Sequence, residues 1–363
     1  MIVTSLHLRN FRNYENCSVD LGPGINWITG NNAQGKTNLL ESMVYLSLTR
    51  SHRINNDQQM IRKKCEFARI SCDLVDDKNR KISLEAVIHG NGKSLMVNHQ
   101  AVQKSSQFVG ILNTVLFSPD DLGIFSDAPR ERRKIMNQEI AKLSPKYLLA
   151  INHYQNLLRE RNAHLKNMNP DPAYLDVLDE QMIEDEIPII EKRRIFIQRI
   201  NAHMEDIYQS IADDPVHVKA VYQGCINEEE KDLKQALQKK YQENRQRDLE
   251  NRFTTTGIHR DDMVFELNDQ NVIETASQGQ KRMVMLAFRL ADLEFIREVT
   301  GKKAVLLLDD VLSELDSRRQ ERLLNEIEGK CQCIITSTGM PKVMQGRHPY
   351  EIRITSGHAE RAV

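Results

Sequence analysis

The chain has 363 residues, with 50 Lys and Arg against 51 Asp and Glu, so its formal net charge is −1. That balance excludes a histone-like or ribosomal-tail protein, whose phosphate contacts demand a large cationic excess, and leaves room for a local basic patch. With 40% hydrophobic residues and only 16 Gly and 10 Pro to interrupt them, disorder is excluded and one large domain or two ordinary ones can be built.

In chain order, Val3–Leu8 and Cys17–Leu21 alternate apolar and polar residues and read as strands. The Gly22-Pro23-Gly24 turn then leads into a third strand, Ile25–Ile28. The start lacks the apolar run of a signal peptide, and the longest clean apolar stretch, Ala304–Leu308, is far short of the ~20 residues that cross a bilayer. Six Cys without a CxxC pair suit a reducing compartment, so a cytoplasmic protein with no membrane partner is expected.

Directly after Ile25–Ile28 comes Gly30-Asn31-Asn32-Ala33-Gln34-Gly35-Lys36-Thr37, a complete GxxxxGK[ST] motif. It opens a helix carrying Leu39, Leu40, Met43, Val44 and Leu46, which is the context a phosphate-binding loop requires. The glycines let the backbone wrap a phosphate, and successive N–H groups at the helix start offer positive potential. Lys36 adds a full charge, and the Thr37 hydroxyl can ligate Mg²⁺. ATP with Mg²⁺ is the expected cofactor.

The stretch 50–64 holds Arg50, Arg53, Arg62, Lys63 and Lys64 against the single acid Asp57. It is a candidate for DNA phosphate contacts. Interleaved aromatics are lacking, which favours duplex backbone recognition over single-strand reading, although an ordinary basic loop fits equally. Arg130, Arg132 and Arg133 form a second candidate, weakened by the neighbouring Glu131.

Residues 66–75, 81–88 and 94–97 add short alternating strands. Glycine then almost vanishes: between Gly123 and Gly257 only Gly224 remains, in a segment rich in good helix formers. Pro145–Lys166, Ala173–Asp213 and Asn227–Arg252 read as long polar helices, punctuated by Pro170, Pro172, Pro188 and the Asp213-Asp214-Pro215 turn. This predicts a helical arm over 123–254, inserted between head segments 1–122 and 255–363. In the second head segment come a strand at Val264–Leu267, a helix over 278–299, the buried strand Ala304–Leu308, another helix, and Cys333–Ile335. Alternating strands and helices with fully apolar strands imply a covered, largely parallel sheet.

Ala304–Leu308 delivers Asp309 to the strand end beside the phosphates, where it can hold the Mg²⁺ shell, and Asp310 stands where a carboxylate can polarise water. Ser277-Gln278-Gly279-Gln280 opens an apolar-striped helix, and Ser313-Glu314-Leu315-Asp316 follows the acidic strand. His259 and Arg260 fit either the nucleotide or the head–arm junction. With these motifs in place the sequence resembles ABC-type P-loop ATPase heads, an α/β class with a mixed sheet. The resemblance implies that Ser277 completes the site of an opposing copy in an ATP-dependent homodimer.

Four further segments, Leu8–Tyr14, Leu116–Leu122, Pro129–Arg133 and Gly257–Asp262, resemble the RecF family of the SMC-like branch. That likeness implies DNA replication and recombinational repair at single-strand gaps, with RecR, RecO and indirectly RecA as partners. Three departures from common ABC heads stand out: Asp310 for the catalytic Glu, Ser118 at the Q-loop glutamine position, and only Ser or Thr (Thr336-Ser337-Thr338) where a switch histidine is usual. They imply a slow, DNA-stimulated ATPase that acts as a switch. Two other readings compete: a structural chromosome-tethering ATPase with the same head, and a small-molecule P-loop kinase.

Overall fold

In the computed structural model, residues 1–361 apart from 127 and 228 are described. They form two compact units, one of Met1–Leu122, His203–Val216 and Gln278–Val363, the other of Gly123–Ala202 and His217–Ser277. Relative to the expected arm of 123–254, residues 203–216 group with the first unit and 255–277 with the second.

The first unit contains two six-stranded sheets. One is antiparallel and includes Ile2–Phe11, Tyr14–Asp20, Phe67–Val75, Lys81–His89 and Gly92–Val97. The other has a parallel core of Ile25–Thr29, Cys333–Ser337, Val305–Asp309 and Thr114–Phe117. Tyr350–Thr355 extends it in parallel and His358–Arg361 closes that edge antiparallel, which makes the sheet mixed. Val305–Asp309 and Cys333–Ser337 are buried at every position, so these strands read as apolar runs rather than alternations.

Helix Lys36–Leu48 joins the same hydrophobic core as both sheets, with Leu39, Leu40, Met43 and Leu46 fully buried beside Leu6, Ile70, Leu307 and Ile334. Even Glu41, Ser42 and Ser47 are buried on it. The apolar stripe expected from the sequence is therefore widened to nearly the full circumference, because the helix is covered from two sides. The consequence is a rigid base for the loop that precedes it.

The second unit carries helices Pro129–Leu143, Pro145–His164, Leu233–Asn251 and most of Pro172–Ala212. The helix expected over Ala173–Asp213 is observed as the 41-residue helix Pro172–Ala212, which runs through Pro188. Proline removes one N–H, but Ile183, Ile189 and Ile190 flanking it are buried, and their burial holds the helical path. The helix expected from 227 begins at Leu233, where the Asp232 side chain accepts a hydrogen bond from Gln235 N at 3.0 Å and caps it.

This unit is not purely helical. Val218–Gln223, not anticipated from the sequence, pairs antiparallel with Asp262–Leu267, which in turn pairs with Gln270–Asn271. The strand expected at Val264–Leu267 thus belongs to the second unit. Its sequence neighbours suggested the head, but its hydrogen-bond partner lies about 40 residues upstream, beyond any local pattern. All six cysteines are free thiols, and among the described residues no helix is long and apolar enough to cross a membrane.

Candidate nucleotide site

The phosphate-binding loop is shaped by groups outside its own motif. Tyr14 Oη donates to Gly35 O at 2.9 Å and Asn13 Nδ2 to Gln34 O at 2.9 Å, so the turn Asn13-Tyr14 clamps the loop from beneath. Gly35 has φ 116°, and a Cβ there would lie 2.6 Å from Asn13 Nδ2. Gly30 leaves no room either: its Cβ would meet Ile354 O at 2.4 Å. Both glycines are required by backbone geometry. The helix Lys36–Leu48 has no side-chain cap at its start, which leaves its first N–H groups available to an anion.

Lys36 is 8% exposed, and its Nζ donates to Gly30 O at 2.6 Å and Asn31 O at 3.0 Å. Burial lowers its pKa, opposed by the charges of Asp310 and Asp309. Lys36 thus sits inside the loop, held by carbonyls that phosphate oxygens can replace.

Opposite it, Thr37 Oγ1 donates to Asp309 Oδ1 at 3.1 Å, and Thr336 Oγ1 donates to the same oxygen at 2.7 Å. The parallel register sets this up, because Asp309 lies directly across from Thr336 on the neighbouring strand. Asp310 follows in a left-handed conformation, φ 52°, its N–H held by Thr336 O at 3.2 Å and Thr336 Oγ1 at 3.1 Å. Its Oδ1 is buried without a hydrogen-bond partner. A hydroxyl and a carboxylate 3.1 Å apart are hard oxygen donors of the kind that hold Mg²⁺, and the orphaned carboxylate oxygen asks for a ligand or water. The site residues therefore fit ATP with Mg²⁺. The left-handed backbone also accounts for Asp in place of Glu at 310, since Asp and Asn tolerate that region best.

Comparison with known proteins matches this geometry. The family model for the RecF/RecN/SMC N-terminal domain covers residues 2–360. A curated DNA replication and repair protein RecF from Listeria welshimeri is 41% identical over 93% of both chains. The corresponding protein of Pediococcus pentosaceus is 40% identical over 95% of this chain and 94% of its own. The chain belongs to the RecF family. A solved structure of the recombination mediator RecF with ATP, from the RecFOR pathway, superposes with a TM-score of 0.91 at 28% identity, covering all of this chain and 98% of the other. An Smc head from Pyrococcus furiosus shares the fold at TM-score 0.59 and 15% identity, over 99% of this chain and 96% of that one. The ABC-type head fold of RecF proteins is thus the fold of this chain.

Several residues that support the site in this RecF-family chain were not legible as functional. Glu41 is fully buried and paired bidentately with Arg12, Nη2 to Oε1 2.7 Å and Nε to Oε2 2.9 Å. Ser51 Oγ adds a 2.5 Å hydrogen bond, and these partners lower the Glu41 pKa despite its burial. His52 comes next in the chain; its Nδ1 is buried and unpartnered, and the charges of Glu41, Asp121, Arg53 and Asp309 act on it. Burial lowers its pKa and so favours the neutral ring. The only signal for His52 in the sequence is its position inside the basic stretch. Ser118 is buried, and its N–H donates to Asp121 Oδ2 at 2.8 Å, while Asp121 Oδ1 accepts from Arg289 at 2.6 Å.

The five basic candidates separate on inspection. Arg53 turns toward the loop helix, with Nη1 3.2 Å from Asn38 Oδ1 and 3.9 Å from Glu41. Arg62 pairs with Glu15 at 3.1 Å. Arg50, Lys63 and Lys64 are exposed. Ser277 is exposed immediately before helix Gln278–Thr300. Arg282 of that helix binds Glu314 in the loop after the acidic strand, Nη1 to its carbonyl at 3.0 Å and Nη2 to its carboxylate at 2.7 Å. Asp316 caps the next helix by accepting from Arg319 N at 3.0 Å.

Proposed function

We propose that this RecF-family chain is an ATP-gated DNA-binding protein of replication and recombinational repair. On this reading ATP joins two copies, with Ser277 of each completing the nucleotide site of the other, and the dimer acts at single-strand gaps. Slow hydrolysis resets it. The observation that carries the reading is the cluster of Thr37, Asp309 and Thr336 beside an unpartnered Asp310 oxygen. RecR and RecO are the proposed partners, in line with the RecFOR pathway that frames the solved RecF–ATP structure, and RecA the recombinase served indirectly.

In this scheme Lys36 exchanges its loop carbonyls for phosphate oxygens, and the N–H groups from Gly35 onward orient the phosphate chain. Thr37 and Asp309 are the residues that would hold Mg²⁺, which would supply positive charge to offset that of the phosphates. Asp310 accepts a hydrogen bond from the attacking water and holds it in line. The short Asp310 side chain on a constrained backbone gives this water less support than Glu would, which is the basis for slow turnover.

Sedimentation with ATP, with and without DNA, tests the scheme on the wild type, Lys36→Arg and Ser277→Arg. Wild type should dimerise with ATP, Lys36→Arg should lose hydrolysis, and Ser277→Arg should bind ATP yet remain monomeric. A wild type that stays monomeric with ATP refutes the shared-site mechanism. Normal dimerisation of Ser277→Arg refutes the role of Ser277 across the interface.

A further inference from the structure

Two sequence motifs that the nucleotide site does not use, Pro129–Arg133 and Gly257–Asp262, meet in the second unit. Arg132 is buried and paired bidentately with Asp262, Nε to Oδ1 2.7 Å and Nη2 to Oδ2 2.8 Å. Arg133 Nη1 donates to the Asp261 carbonyl at 2.6 Å. Asp261 itself is buried, its carboxylate taken by Arg193 Nη1 at 2.6 Å, by Tyr222 Oη and by Cys225 N at 2.7 Å. Arg193 also donates to Ile258 O at 3.0 Å. Gly257 packs so tightly that a Cβ would lie 2.6 Å from Glu186 Oε1 and 2.7 Å from Tyr154 Oη. The segment Gly257–Asp262 is therefore held in one conformation by a buried polar network.

Such a network is costly to bury, and its buried arginines are matched: Arg132 by Asp262, Arg193 by Asp261, and Arg161 by Asp179 and Asp248. Arg260 and Arg133 are left over. Arg260 is the exposed residue of the motif, and its guanidinium lies 5.6 Å from the centre of the Phe253 ring. Phe253 is 41% exposed, an unusual position for a ring of that size beside a rigid loop. Arg133 is half-buried, and its only hydrogen-bond partner among the described residues is the Asp261 carbonyl, not a carboxylate. Desolvation and the nearby Arg193 oppose its charge, so an incoming anion would relieve it. His259, next to Arg260, donates from Nε2 to Thr254 O at 3.1 Å, so in the neutral ring favoured by burial its Nδ1 accepts from Tyr154 Oη at 2.7 Å.

We infer that Phe253, Arg260 and Arg133 form a single-stranded nucleic-acid contact on the second unit: a base stacks on Phe253 while the adjoining phosphates engage the two arginines. This deepens the DNA-binding reading above and rests on it. Aromatic stacking with a nearby cation is the sequence-tolerant mode by which single strands are held, and it is the combination absent from the 50–64 stretch. A duplex offers no unstacked base to Phe253, so the contact discriminates the single-stranded side of a gap. The buried network supplies the rigidity that makes a three-residue contact worthwhile, since little order must be created on binding.

The test uses full-length protein with ATP and three labelled probes: oligo(dT), blunt duplex and gapped duplex. Phe253→Ala and Arg260→Gln change exposed side chains only, so both should unfold as the wild type does. Phe253→Ala should bind oligo(dT) and the gapped duplex about ten-fold more weakly, the scale of one lost base stack, with blunt duplex unchanged. Arg260→Gln should reduce the salt slope of oligo(dT) binding by about 0.7, the loss of one phosphate contact to a single strand. Phe253→Trp adds a direct readout, because the only native tryptophan, Trp27, is fully buried. Its fluorescence should be quenched by oligo(dT). Unchanged oligo(dT) affinity in Phe253→Ala, or quenching by polyglutamate but not by oligo(dT), overturns the inference, the latter pointing to an acidic protein partner. Failure of the wild type to bind any of the three probes would instead defeat the DNA-binding reading.

Discussion

Glu186 offers the sharpest test of how the second unit is held together. It is fully buried, with Oε1 accepting from Ile258 N at 3.0 Å and from Tyr241 Oη at 3.2 Å, and Oε2 without a partner. The neighbouring arginines are committed to aspartates. Burial therefore pushes its pKa up from 4.5 to about 8, and the like charge of Asp261 adds to the rise. A folded-state pKa above the unfolded one means that its contribution to stability is fully present below pH 4.5 and is lost as pH rises toward about 8. Glu186→Gln keeps a carbonyl acceptor for Ile258 N–H and removes the ionisation. Relative to wild type, the variant should gain about 3 kcal/mol of stability between about pH 5 and about pH 7.5. Comparing the two pH values cancels any fixed penalty from burying the amide N–H groups. Urea unfolding followed by far-UV circular dichroism reports the helix-rich second unit, while Trp27 fluorescence serves as a control within the first. A difference between variant and wild type that does not change with pH, or that favours wild type as pH rises, would show Glu186 to be ionised in the fold and refute the reasoning.

Three further predictions concern the nucleotide site and the basic stretch 50–64. Asp310→Asn should bind ATP normally but lower single-turnover hydrolysis at least about 100-fold, whereas Asp310→Glu should lose about 1 kcal/mol of stability to its left-handed backbone; full hydrolysis by the Asn variant would remove Asp310 from the reaction. Arg12→Ala leaves the buried Glu41 with only Ser51 and the more distant Arg53, and should cost about 3 kcal/mol in denaturant titration, with nucleotide affinity falling alongside. Lys63→Glu with Lys64→Glu should weaken ATP-dependent duplex binding and lower its salt slope by about 2, a result that a plain solvated loop would not give.

Much of the head was legible because its signals are contiguous. The loop Gly30–Thr37 carries its own backbone requirements, and the strand Val305–Asp309 declares its two-sided burial by having no polar residue before its end. Both features depend on neighbours within a few residues, the range over which dihedral preferences and side-chain period operate. The expected start of the helix at 227 failed for a related reason: helix formers fill the stretch, but the capping Asp232 decides the register.

The near-neutral charge of the chain excluded a generally basic binder, but the sequence alone could not tell a free cation from a paired one. Folding decided that Arg132 is spent on Asp262, 130 positions away, while Arg260 stays exposed against Phe253. The same holds at the nucleotide site, where Thr336 reaches Asp309 from 27 positions downstream and Asn13 and Tyr14 brace a loop some 20 residues ahead. Sequence order determined which groups exist and which local shapes they can take. Only the tertiary structure brought distant partners within the few ångströms at which hydrogen bonds and ion pairs act, and so set which charges are consumed inside and which remain for a ligand.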